Sequence, residues 1–187
     1  DDKRFFLENL INKDATKKIM VFVRTQVRVE RVAKAMERVG INALIIHGGK
    51  DQKERNQALK KFKEGEVNLL IATDVSARGV DVPGIELVVN YDLPDIAENY
   101  VHRIGRTGRG NQKGEALSFV SKGEMDLLLT IEQFLGKKIP QIEISKKEYQ
   151  TILDLTNEKS LDDLLGQIEF EIENEGKKAK KKRNKKK

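Results

Sequence analysis

Apolar residues along this chain gather in short compact runs separated by amphipathic stretches. Ile19 to Val23 is β-branched and aromatic throughout, the composition of a strand buried on both faces of a parallel sheet. Similar runs at Asn42 to Ile46, Val67 to Ile71, Leu87 to Asn90 and Gly114 to Val120 predict four more strands. Between them the period changes. Phe6, Leu7, Leu10 and Ile11 predict a helix over Lys3 to Asn12, and Val29, Val32, Ala33 and Met36 predict another that ends at Gly40. Asp51 with Glu54 has the spacing of a capping box, and Ala58, Leu59 and Phe62 supply the inner face of the helix it starts, with Gly65 closing it. A helix over about Asp95 to Arg103 and one marked by Leu128, Ile131 and Leu135 complete the series. Strands alternating with helices predict an α/β domain with a mostly parallel sheet and helices on both faces.

The pattern weakens from about Ser145. Residues 145–176 read as an appended segment, partly helical or disordered, and 177–187 as a disordered Lys-rich tail. The domain itself is placed at 1–144. Charge sharpens this division. The net charge is +6, but nine positive charges lie in 177–187, so the remainder is mildly acidic at about −3. The tail is suited to weak, salt-dependent binding of polyanions or to solubility alone. Absence of cysteine excludes disulfides and thiolate metal sites, and two histidines are too few to suggest zinc. No apolar run is long enough to span a membrane, so a soluble, cytoplasmic protein is expected. The first residue is Asp1 and not Met, as expected of a fragment or a processed chain.

Candidate chemistry clusters where ligands bind in open parallel sheets, outside the carboxyl ends of the strands. Arg24-Thr25, His47-Gly48 and the segment from Thr73 to Asp81 each follow a predicted strand. Gln52 and Arg55 lie three apart in the first turn of a helix, whose free N–H groups favour phosphate. Arg24, Thr25, Gln52, Arg55 and Thr73 together suit a track for a nucleic-acid backbone, although each alone also suits a cap, a turn or a solvated charge. His102-Arg103-Ile104-Gly105-Arg106-Thr107-Gly108-Arg109 sets cationic and titratable side chains among glycines, a composition suited to phosphate. The chain has no Gly-x-x-x-x-Gly-Lys-Ser/Thr loop and no acidic pair after a strand that suits magnesium. Arginines three apart are what one domain offers to a phosphoryl group held by another.

Ala72-Thr73-Asp74-Val75-Ser76-Ala77-Arg78-Gly79-Val80-Asp81 and the run from His102 to Arg109 resemble motifs V and VI of the DEAD-box RNA helicases. Val21 to Thr25 resembles motif IV, Gln52-x-x-Arg55 the element after it, and His47-Gly48 and Tyr91-Asp92-Leu93-Pro94 match similar residues of that family. The resemblance covers about Lys3 to Ile144 and implies the second RecA-like domain of an ATP-dependent RNA helicase, with an RhlE-like bacterial subgroup as the finer expectation. It implies Arg106 and Arg109 as arginine fingers, Gly79 and Asp81 at the nucleotide, and His102 and Arg103 at the interdomain surface. Arg24, Gly48, Gln52, Arg55 and Thr73 would hold RNA sugar and phosphate, with Thr25 beside them. ATP and Mg2+ would be held mainly by an N-terminal RecA-like domain of the same protein. Arg24 departs from several relatives, which have Asn there. The rival expectation is a non-catalytic RNA-binding or scaffold module that has kept the fold.

Overall fold

The computed structural model describes residues 3–77, 79–108, 114–142 and 149–151. The chain divides into two compact units, 1–142 and 143–187. In the second unit only the helical residues 149–151 are described, so the expectations for 145–176 and for the tail fall almost wholly outside the described residues.

In the first unit, α1 (Lys3–Lys13), β1 (Ile19–Phe22), α2 (Gln26–Arg38), β2 (Leu44–Ile46), α3 (Gln52–Glu64), β3 (Leu69–Ala72), α4 (Asp74–Ala77), β4 (Leu87–Asn90), α5 (Ala97–Ile104), β5 (Glu115–Ser118) and α6 (Met125–Leu135) follow in order. A short 3-10 turn, Lys122–Glu124, leads into α6. The five strands form one sheet in the order β2-β3-β1-β4-β5, and every pairing is parallel. The predicted strands are all present, each within a few residues of its expected bounds. The sequence pattern did not show α4, a single turn too short to develop a helical period.

Strand geometry explains how the apolar runs are used. Successive side chains of β1 point to opposite faces, so a run without polar interruption needs cover on both. Ile19, Val21 and Val23 pack with Leu7 and Ile11 of α1 and with Val29, Val32 and Met36 of α2. Met20 and Phe22 pack on the other face with Phe62 of α3, Ala77 of α4, and Val80, Val82 and Ile85. The crossover from β3 to β4 passes over this second face as α4 and an extended loop, with no long helix. Leu93, Tyr100, Leu128 and Ile131 form a smaller cluster that joins α5 to α6.

Capping holds α3 at its expected ends. The Asp51 side chain accepts from Glu54 N at 2.7 Å, Asp51 N donates to Glu54 Oε2 at 3.2 Å, and Gly65 closes the helix at φ +77°. At the start of the chain, Lys3 Nζ donates to the Tyr91 carbonyl at 2.8 Å and pairs with Glu124. Burial alone would raise the Glu124 carboxyl, but hydrogen bonds from Lys3 and Ser121 outweigh it and hold it below its ordinary value.

The lowered Glu124 value makes this anchor acid-sensitive. Its contribution is fully present above the unfolded-state value near 4.5 and is lost as pH falls through the lower folded-state value. Urea titrations between pH 6 and pH 3 should therefore show a shallower loss of stability for Glu124→Gln than for the wild type over that acid range. Parallel curves would remove Glu124 from the account.

Candidate nucleotide and nucleic-acid interface

The carboxyl ends of β1, β3 and β4 meet at one buried side chain. Arg103, in the last turn of α5, is only 1 % exposed. Its Nε and Nη2 donate to the two carboxylate oxygens of Asp74 at 2.6 and 2.8 Å, and Nη1 donates to Asn90 Oδ1 at 3.0 Å and the Asp92 carbonyl at 2.6 Å. The guanidinium also lies over the Phe22 ring, 5.1 Å from its centroid. A charge so deeply buried needs this many partners, because unmet desolvation would cost several kcal/mol. Resemblance placed Arg103 at the interdomain surface. Instead its donors are engaged within this domain, and it ties α5 to three strand ends.

That tie accounts for the position of the arginine loop, which topology alone would put away from the strand ends. Beyond Arg103, Arg106 Nη1 donates to the Val80 carbonyl at 2.8 Å, and Thr107 Oγ1 donates to the Ile85 carbonyl at 2.6 Å. Gly108 turns the chain at φ +70°. Gly114, entering β5, lies so close to Thr107 and Gly108 that a β-carbon there would overlap them. A recess lined by Phe22, Asp74, Ala77, Asn99, His102, Arg103 and Arg106 opens beside this loop, with His102 exposed at its rim. Arg109 and Arg78 lie outside the described residues.

On the far side of the 79–82 loop is a cleft of about 410 Å³ between that loop and α3. Gln52, Arg55, Gly79 and Asp81 all line it. Gly79 takes φ +74°, a conformation that favours glycine. Arg55 Nη1 donates to Gln52 Oε1 at 3.4 Å and Nη2 to the Ser76 carbonyl at 3.5 Å, while its Nε is buried without a hydrogen-bond partner.

The other residues of the expected track are more committed to the fold. Thr25 caps α2, accepting from Arg28 N at 3.3 Å. Thr73 is 7 % exposed, and its hydroxyl lies 3.1 Å from Ser76 Oγ, so it does not present that group at the surface. Arg24 Nη2 donates to the Leu93 carbonyl at 3.1 Å and Nε lies 3.4 Å from Asp95, leaving its half-exposed fork held by acceptors of this domain. Gly48 faces Gln26, whose amide would stand 3.1 Å from an added β-carbon. Beside it, the Gly49 amide donates to His47 Nδ1 at 3.1 Å, which leaves Nε2 to donate to Glu30 at 3.0 Å. This His47 bond holds the Glu30 carboxyl below its ordinary value, with Lys50 adding to the effect and burial opposing it. Sequence reading missed Arg28, whose Nε and Nη2 clamp the Asp92 carboxylate at 3.0 and 2.8 Å. It also missed the shared role of Asn90, a polar residue ending an apolar strand.

Among the described residues no group of three or more His, Asp or Glu is placed to hold a metal ion, and no helix is long and apolar enough to cross a membrane.

Comparison with known proteins identifies the family to which this sheet and these loops belong. Residues 2–111 match the family model described as the helicase conserved C-terminal domain. The chain is 37 % identical over 170 residues to the ATP-dependent rRNA helicase RRP3 of Candida glabrata, covering 91 % of this chain and 34 % of that protein. Against RRP3 of Debaryomyces hansenii the identity is 40 % over 139 residues, 74 % of this chain and 29 % of the relative. Among solved structures, the E. coli DEAD-box protein SrmB bound to regulator of ribonuclease activity A aligns with a TM-score of 0.71 at 38 % identity, covering 76 % of this chain and 84 % of that one. Dbp5 of S. cerevisiae bound to RNA and ADP BeF3 aligns with a TM-score of 0.70 at 32 % identity, covering 84 % and 42 %. This chain belongs to the helicase conserved C-terminal domain family, as the C-terminal domain of a DEAD-box RNA helicase. It spans about a third of the length of the curated relatives it matches. Those relatives are yeast proteins and give no support to an RhlE-like bacterial placement.

Removing the Asp74 carboxylate would leave the buried Arg103 charge without its main partner. Asp74→Ala should therefore cost about 3 kcal/mol or more, the lower end for breaking a buried ion pair, read as a fall in the urea midpoint. A change within about 0.5 kcal/mol, the size of an ordinary surface substitution, would contradict the network.

Proposed function

We propose that this chain is the second half of an ATP-dependent RNA helicase, contributing arginine fingers to ATP hydrolysis and backbone contacts to single-stranded RNA during local duplex unwinding. The observation that carries this reading is the loop after Arg103, in which Arg106 is steadied by the Val80 carbonyl beside the carboxyl ends of the strands. ATP and Mg2+ are held mainly by an N-terminal RecA-like domain of the same protein. When bound, ATP supplies the phosphoryl group whose transfer to water drives the cycle.

The chain's own residues then divide the work. Arg106 and Arg109 bring positively charged guanidinium groups to a phosphate on which charge develops, an effect worth most in a closed, water-poor cleft. Asp81 accepts from a ribose hydroxyl, and Gly79 lets the backbone approach the nucleotide. His102 meets the partner domain, whereas Arg103 acts by holding α5 in place. Gln52 and Arg55 hold RNA phosphate and sugar from the mouth of the α3 cleft. Arg24, Thr25, Gly48 and Thr73 shape the strand-end surface beside them, and such contacts position RNA without reading its sequence. Binding of RNA and ATP closes the two domains, which assembles the site and bends the RNA strand. The cytoplasm is the proposed location, and ribosomal RNA is the first substrate class to test, given the names of the yeast relatives.

This chain alone should show no ATP turnover. In the full-length protein, Arg109→Ala should lower turnover by about 10³-fold or more, measured at saturating ATP and RNA. Activity within a few-fold of wild type would reject the finger assignment. Arg55→Ala should weaken binding to all RNA sequences alike in a titration series. A loss confined to some sequences would contradict a phosphate role.

A further inference from the structure

The cleft beside α3 runs on past the residues assigned above. Gln52, Arg55, Asn56, Leu59, Lys60 and Lys63 line it from one side, and their spacing of three or four places them on a single helix face. The helix rises 1.5 Å per residue, so Lys63 stands about 12 Å beyond Arg55 along its axis. Three cations thus face the cleft against one carboxylate, Asp81. Lys18, which does not line the cleft, donates from Nζ to the Lys63 carbonyl at 3.2 Å.

Lysines near a helix C-terminus also complement the helix dipole, which accounts for a few tenths of a kcal/mol and for no particular face. Lys60 has only a loose pairing with Glu64, at 3.9 Å, with both side chains largely exposed. Such a pair contributes little and does not hold the ammonium away from a ligand. The apolar side chains Leu59, Val80 and Val82 line the cleft between the charges. The cations suit the phosphates of a single strand, and the apolar side chains between them suit its bases.

We propose that this cleft is a second segment of the RNA path, in which Lys60 and Lys63 take phosphates of a single strand beyond those held by Gln52 and Arg55. This rests on the RNA reading of Gln52 and Arg55. It makes the domain's footprint longer than its strand-end loops alone define, so affinity depends on oligomer length.

The test titrates the 187-residue chain with oligoadenylates of about 3 and about 12 nucleotides over a range of salt concentrations. Wild type is compared with Lys60→Gln/Lys63→Gln and with Arg55→Ala, all three retaining the basic tail so that its contribution cancels. The double variant should bind the 12-mer more weakly, with a salt dependence shallower by about 1.4, since each single-strand phosphate contact contributes about 0.7. It should bind the 3-mer, too short to reach from Arg55 to Lys63, within about two-fold of wild type, whereas Arg55→Ala should weaken both. An unchanged 12-mer slope in the double variant, with Arg55→Ala still weakened, overturns the second segment alone. Unchanged binding in Arg55→Ala overturns the RNA reading of the track, and the second segment with it.

Discussion

A guanidinium taken out of water must find acceptors for its donors, and the way Arg103 meets that need organises the functional edge of this domain. Asp74 supplies two oxygens from the start of α4, Asn90 a third from the end of β4, and the Asp92 carbonyl a fourth. Removing one acceptor leaves a buried charge short of partners, so these strand ends and α5 are held as a set. Buried ion pairs add little net stability compared with apolar packing. What this one supplies is position: it fixes where α5 ends and therefore where the arginine loop begins.

The loop at 79–86 connects the two candidate regions. Its carbonyls at Val80 and Ile85 receive Arg106 and Thr107, while Gly79, Val80, Asp81 and Val82 border the cleft beside α3. A shift of this loop on either side displaces acceptors or lining groups on the other. The apolar residues Val80, Val82 and Ile85 anchor it on the sheet with Met20, Phe22 and Val88. Under the proposed function, a strand in the cleft and a phosphate at the arginines would act on one packed element.

Much of the fold was legible in the sequence because a doubly covered parallel sheet needs uninterrupted apolar strands, and β1 through β4 supply them. The ends of α3 were legible because Asp51, Glu54 and Gly65 are local signals whose partners lie within one turn. The site was legible as motifs and not as geometry. Arg103 reads as one of four cationic or titratable side chains, since nothing local distinguishes a guanidinium that turns inward from one offered outward. Its acceptors lie 29, 13 and 11 residues away in sequence. Thr25 and Thr73 are the converse case, candidate ligands whose hydroxyls serve a helix cap and lie against a neighbouring serine.

The claim that Arg103 sets the arginine loop is tested most directly by residue-resolved amide hydrogen exchange on an Arg103→Met variant. The amides of Gly105, Arg106 and Thr107 donate to the carbonyls of Val101, Arg103 and Ile104. They should lose protection selectively, while amides of Val21, Ile71 and Val89 in the central strands remain protected. Retained protection at residues 105–107, or equal loss across the whole sheet, would contradict a positioning role for Arg103.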